Sequence, residues 1–113
     1  MDEQITKYID NLVNEVLQIP VFAILKKEDQ TAVADKLKDH FYSLVFATIL
    51  ESMNDAQVME LKNTDLTSQE GLDKLQVIAA SIPGLAEEVD SRLKKAQDQI
   101  LTTQKVPEVT LNI

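Results

Sequence analysis

The single histidine of the chain, His40, follows Asp39 and stands close to Asp35, so two carboxylates one helical turn apart meet an imidazole. Acid, acid and imidazole in one place are the raw material of a metal site. A helix, however, turns His40 a quarter turn or more away from each carboxylate, and the Glu-x-x-His spacing of di-metal bundles does not occur. The spacing therefore predicts a partly buried histidine beside a solvated acidic face.

Two other arrangements invite the same question. Asn63, Asp65 and Thr67 recur at alternate positions, as oxygen ligands do in a calcium loop. Ser68 stands where the sharp turn needs glycine, and Lys74 where a bidentate glutamate is needed, so the stretch predicts a helix cap. Ser43 lies one turn from His40, but a helical hydroxyl at that spacing is expected to bond back to its own helix rather than to join a triad. Gly71 and Gly84 are the only glycines, which rules out a glycine-rich phosphate loop. Without cysteine there is no thiolate nucleophile, no disulfide framework and no zinc-thiolate site. The expectation is a protein that is not an enzyme and holds no cofactor or metal.

The elements that carry these residues follow from the apolar spacing, which is helical almost throughout. A first helix is predicted from Asp2 to Leu17, with Ile5, Ile9, Leu12, Val13 and Val16 on one stripe. Pro20 closes it, because the residue before proline is pushed out of the helical region. Val21 to Leu25 reads as a helical turn or a buried connector, leaving to solvent at Lys26 and Lys27. A long second helix, Glu28 to Met53, places Val33, Leu37 and Phe41 inward. From Phe41 to Leu50 its apolar residues go round the whole circumference, and a helix that is apolar all round must be covered on all sides. Asn54 to Gln57 has the form of a capping box and opens a short third helix through Val58, Met59 and Leu61. Thr67 to Glu70 repeats the signal before a fourth helix through Leu72, Leu75, Ile78, Ala79 and Ile82. Pro83 and Gly84 break that helix, and a fifth follows on the stripe Leu85, Val89, Leu93, Ala96 and Ile100. Its acids precede its bases, which suits the helix dipole.

The predicted fold class is thus all-α, a compact bundle of about five helices with a long central second helix. One helical domain is expected over residues 1–101, with a tail over 102–113 that is extended or disordered. Within it Val109, Leu111 and Ile113 alternate after Pro107, a composition that pairs at a sheet edge and cannot extend a helix.

Composition bounds the function. The 113 residues, 44% of them apolar, suffice for one modest core, and 19 acidic against 11 basic side chains give a net charge of -8. Nucleic-acid binders gather basic residues to displace counterions from phosphates, whereas Arg92 is the only arginine here, so DNA and RNA are not expected partners. Asp2 and Glu3 replace the basic opening of an export signal, and the longest nearly apolar run, Leu44 to Leu50, is far too short to cross a membrane. No membrane partner is expected, and a reducing cytoplasm is the expected location.

The order of elements resembles a family of short, uncharacterised helical proteins from uncultured candidate-phylum bacteria. The likeness rests on Leu17 and Pro20 closing a first helix, a long Leu-rich second helix, and Met53-Asn54-Asp55-Ala56-Gln57 opening a short one. Leu72 to Ile82-Pro83 and a final charged helix complete it, over about residues 5 to 100. The resemblance implies a compact bacterial helical fold, and it carries no catalytic residue onto this chain.

Three functions remain. The first is a non-enzymatic module that binds another protein or itself, as a homodimer, through Tyr42, Phe46 and Leu50 on the second helix. The second is an acidic inhibitor or immunity-type protein that covers a basic partner surface. The third is a bundle that holds an apolar small molecule among Phe22, Phe41, Met53 and Met59.

Overall fold

Helical periodicity with only two glycines leaves the chain little choice of backbone, and the computed structural model is all-α. It describes residues 3–65 and 68–106. The elements are α1 (Glu3–Leu17), α2 (Pro20–Ala23), α3 (Lys27–Ser52), α4 (Asp55–Lys62), α5 (Gln69–Ala80) and α6 (Leu85–Thr103). The stretch after Pro20, left open by the sequence, is thus a helical turn of its own, and the long helix is third in order. Ile19 is extended, as the residue before a proline must be, and Pro20 occupies the first helical position, where its missing N–H is no loss.

Three helices make the core. Tyr42 Oη donates to Thr6 Oγ1 at 3.3 Å and Lys38 Nζ lies 3.7 Å from Asp10 Oδ1, so α1 and α3 run antiparallel. Tyr8 Oη donates to the Asp90 carboxylate, and Gln97 Nε2 donates to Leu12 O at 3.2 Å and Glu15 Oε2 at 2.8 Å, so α1 and α6 run parallel. Ile9, Val13 and Val16 of α1, Leu37, Phe41 and Val45 of α3, and Leu93 of α6 are sealed from solvent at this meeting of helices. Burying such side chains contributes about 1.5–3 kcal/mol each before the entropy of ordering is subtracted.

The α3 to α6 seam is closed by the one arginine. Arg92 Nη1 donates to Glu51 Oε2 at 2.7 Å, and its Nε donates to Glu88 Oε1 at 2.9 Å. Beside it Thr48 is buried, and its hydroxyl donates back to Leu44 O at 2.6 Å. No buried side-chain nitrogen or oxygen among the described residues lacks a partner.

Between α3 and α6 the chain makes an excursion, the α4–α5 hairpin. Its first cap is the predicted box: Gln57 N donates to Asn54 Oδ1 at 2.9 Å, and Asn54 N donates to Gln57 Oε1 at 3.0 Å. The second lies one residue beyond the predicted start, at Ser68, whose Oγ accepts from Gly71 N at 3.0 Å; Thr67 lies outside the described residues. With Ser68 as the cap the third helical position is Gly71, so this cap lacks the reciprocal side-chain bond of a box. The hairpin packs chiefly within itself, α4 on α5. It returns to the bundle through Gly84, whose φ of 75° is open to glycine and strained for other residues.

The last helix runs two residues further than the predicted boundary at Leu101. Thr103 is its final residue, held by a hydroxyl that donates to Gln99 O at 2.8 Å. Gln104 then turns into the left-handed region and donates its N–H to Ile100 O at 2.7 Å, and Val106 packs against the core. The alternation Val109, Leu111, Ile113 lies outside the described residues.

Candidate functional site

Small side chains decide where this bundle is hollow. Ala79 and Ala80 end α5 and Ala86 begins α6, so methyl groups stand where longer side chains would reach α1, and a groove of about 650 Å³ lies between the three helices. Its floor is Val45 and Ile49 of α3 with Leu85 and Leu93 of α6, all buried, and Ile5 and Val89 wall it. Rigid core helices supply the floor, while the less firmly attached α5 supplies one wall. The volume falls in the range of about 300–1,000 Å³ in which ligand pockets are found.

Gln4, Gln76 and the pair Tyr8 and Asp90 are the polar members of this mainly apolar lining. Tyr8 Oη donates to the Asp90 carboxylate, which Lys94 Nζ approaches from its own helix at 3.3 Å. Burial first, then the hydrogen bond and the charge of Asp90, push the Tyr8 hydroxyl up to about 12. The same bond, aided by Lys94, holds the Asp90 carboxyl below its usual value. Both shifts favour one state, a protonated phenol on an ionised carboxylate. A second, more polar hollow of about 350 Å³ lies between α1 and α6, lined by Asn11, Glu15, Gln97 and Asp98, and Tyr8 lines both.

The sign of the pH dependence follows. Because the folded chain keeps the Tyr8 proton to higher pH than the unfolded chain, stability from this group is complete below about pH 10 and falls as pH rises toward 12. Stability from Asp90 is complete above the ordinary carboxylate range and is lost as pH falls through its lowered value. We expect an ultraviolet tyrosinate titration of the Tyr42→Phe variant to place Tyr8 near 12, and Asp90→Asn to bring it down toward 10. Circular dichroism along the same titration checks that the chain is still folded, and ionisation near 10 in the folded chain would refute the pairing.

The residues singled out by sequence lie elsewhere. Tyr42, Phe46 and Leu50 form one stripe of α3, each half-buried and packed against the core, so they are margins of the bundle and do not line the groove. Phe22 and Phe41 are core residues, Met53 is half-buried and Met59 is exposed, and none of the four lines the groove. His40 is half-buried with its ring centroid 5.9 Å from that of Phe41, and burial lowers its pKa. Ser43 Oγ donates to Asp39 O at 2.7 Å, back along its own helix. No group of three or more His, Asp or Glu among the described residues is placed to hold a metal ion.

What the sequence concealed is the pairing of Tyr8 with Asp90, 82 positions apart. Tyr8 borders the apolar stripe of α1 and Asp90 sits on the charged face of α6, so neither spacing alone marks them. Comparison of the chain with family models, curated proteins and solved structures finds no match.

Proposed function

We propose that the protein is a non-enzymatic helical interaction module, working in the cytoplasm, that binds another protein or a second copy of itself through the groove between α1, α5 and α6. The observation that carries this reading is the groove itself: a mainly apolar hollow, floored by α3 and α6, in a bundle where no buried side-chain nitrogen or oxygen among the described residues lacks a partner. Apolar surface left accessible in a chain of this size is a binding surface more often than an oversight of packing. The one histidine lies outside the lining, and the carboxylate within it, Asp90, is taken up by the Tyr8 hydroxyl and Lys94. No helix of the described residues is long and apolar enough to cross a membrane.

The test uses Nile red, a neutral apolar dye. The native chain is expected to bind it at one saturable site. Ala86→Trp, a change at an exposed position on the rim, should weaken binding by about tenfold or more by filling the groove. Equal binding by the variant, with unchanged circular dichroism, would overturn the reading.

A further inference from the structure

Seven residues in a row, Ile19 to Leu25, carry no polar side chain, and of these only Phe22 is fully buried. Pro20, Val21, Ala23 and Ile24 are exposed, and Ile24, at 82%, is the most exposed large apolar side chain among the described residues. This surface is held firmly. Phe22 anchors α2 in the core, and Gln30 Nε2 donates to Phe22 O at 3.2 Å and to Ala23 O at 3.1 Å. Lys26 and Lys27 are followed by Glu28 and Asp29, all four exposed, so the charges beside the surface cancel. Apolar contact and reach, not charge, decide what covers it.

A second apolar segment leaves the bundle at the same end. Helix α6 runs parallel to α1 with Gln97 opposite Leu12 and Glu15, so its last residue, Thr103, comes level with the start of α2. Gln104 turns the chain out of the helix, and Val106 lies half-buried against the core. Seven residues follow it, Pro107 to Ile113, and Glu108 is the only charged one among them. Fully extended they reach about 23 Å, against about 8–10 Å between the axes of packed helices, so they can cross the end of a three-helix unit. In an extended chain Val109, Leu111 and Ile113 share one side at a repeat of roughly 6.6 Å. Val21 and Ile24, one helical turn apart, offer a matching spacing of about 5–6 Å.

We propose that residues 107–113 cross the end of the bundle and cover the apolar surface of α2, with the alternating Val109, Leu111 and Ile113 set against Val21 and Ile24. The segment is favoured over a free partner because it is tethered at Val106, and a tether this short gives an effective concentration in the millimolar range. The groove lies toward the opposite end of α3, so this proposal stands apart from the reading of the groove as a binding surface.

Methyl-resolved NMR of the full chain tests this. Nuclear Overhauser contacts are expected between Ile24 and Leu111 or Ile113, unchanged on dilution. Deleting residues 107–113 should lower the melting temperature by about 4 °C. The same deletion should have little further effect in the Ile24→Asp variant, whose surface no longer receives the segment. Absence of contacts between Ile24 and the segment overturns the proposal, as does a deletion that leaves the melting temperature unchanged or lowers it equally with and without Ile24→Asp. Contacts that fade on dilution, with a mass that climbs with concentration in sedimentation equilibrium, would give the surface to a second copy and overturn it too. Flotation of the full chain, but not of Ile24→Asp, with phosphatidylcholine vesicles would give the surface to a membrane, with the same result.

Discussion

Replacing Phe41 by alanine should lower the free energy of unfolding by about 3–5 kcal/mol, read from urea denaturation followed by circular dichroism. Phe41 has no exposed surface and sits in the core of α1, α3 and α6, so its removal takes away the transfer energy of a ring and leaves a cavity that rigid helices cannot collapse to fill. A small domain has roughly 5–15 kcal/mol of stability in all, so the variant should unfold at much lower denaturant. The control is Phe46→Ala, five positions along the same helix but half-buried, where the loss should be clearly smaller. Equal losses at the two positions would contradict the placement of α3, whose apolar residues surround the helix but are not equally covered.

The second large effect concerns the α4–α5 hairpin. Backbone amides of α5 should exchange with deuterium about 100-fold or more faster than those in the middle of α3 and α6, because a segment opens with the free energy of its own contacts. Among the described side chains of α5, Leu75 and Ile78 are the buried large apolar ones, whereas α3 and α6 pack along much of their length. Native-state exchange resolved by residue would show this. Uniform protection across all the helices would mean that the hairpin opens only with the whole molecule.

Much of this architecture was legible in the sequence, because it depends on local chemistry. Asn54 and Gln57 cap each other within one turn, and Ile5 to Val16 repeat with the helical period, so both could be read without any knowledge of distant residues. The groove could not. It depends on Ala79, Ala80 and Ala86 being small at one junction, and alanine within a helix signals only a good helix former. The stripe Tyr42, Phe46 and Leu50 was legible as apolar surface on a helix. Which part of that surface the neighbours cover depends on where α1 begins and where the hairpin turns back, and these are tertiary facts. Ile24 was likewise visible as an apolar residue before two lysines, but its outward direction follows from Phe22 and Gln30 anchoring the other side of the turn.

Glu51 near the end of α3 and Glu88 in the first turn of α6 grip the same guanidinium, so the chain leaves the core and rejoins it at nearly one point. Everything between those two positions is a detour in an antiparallel three-helix unit. In evolutionary terms this is the place where length can change with the least penalty: residues gained or lost between 53 and 84 leave the pairing of α1, α3 and α6 in register, since closing a longer loop costs only about 0.6 kcal/mol per doubling of its length. Descendants of this sequence can therefore diverge most freely in the detour. Because α5 supplies one wall of the groove, the same changes would reshape that groove, within the limits set by Leu61, Leu75 and Ile78, which the detour contributes to the core.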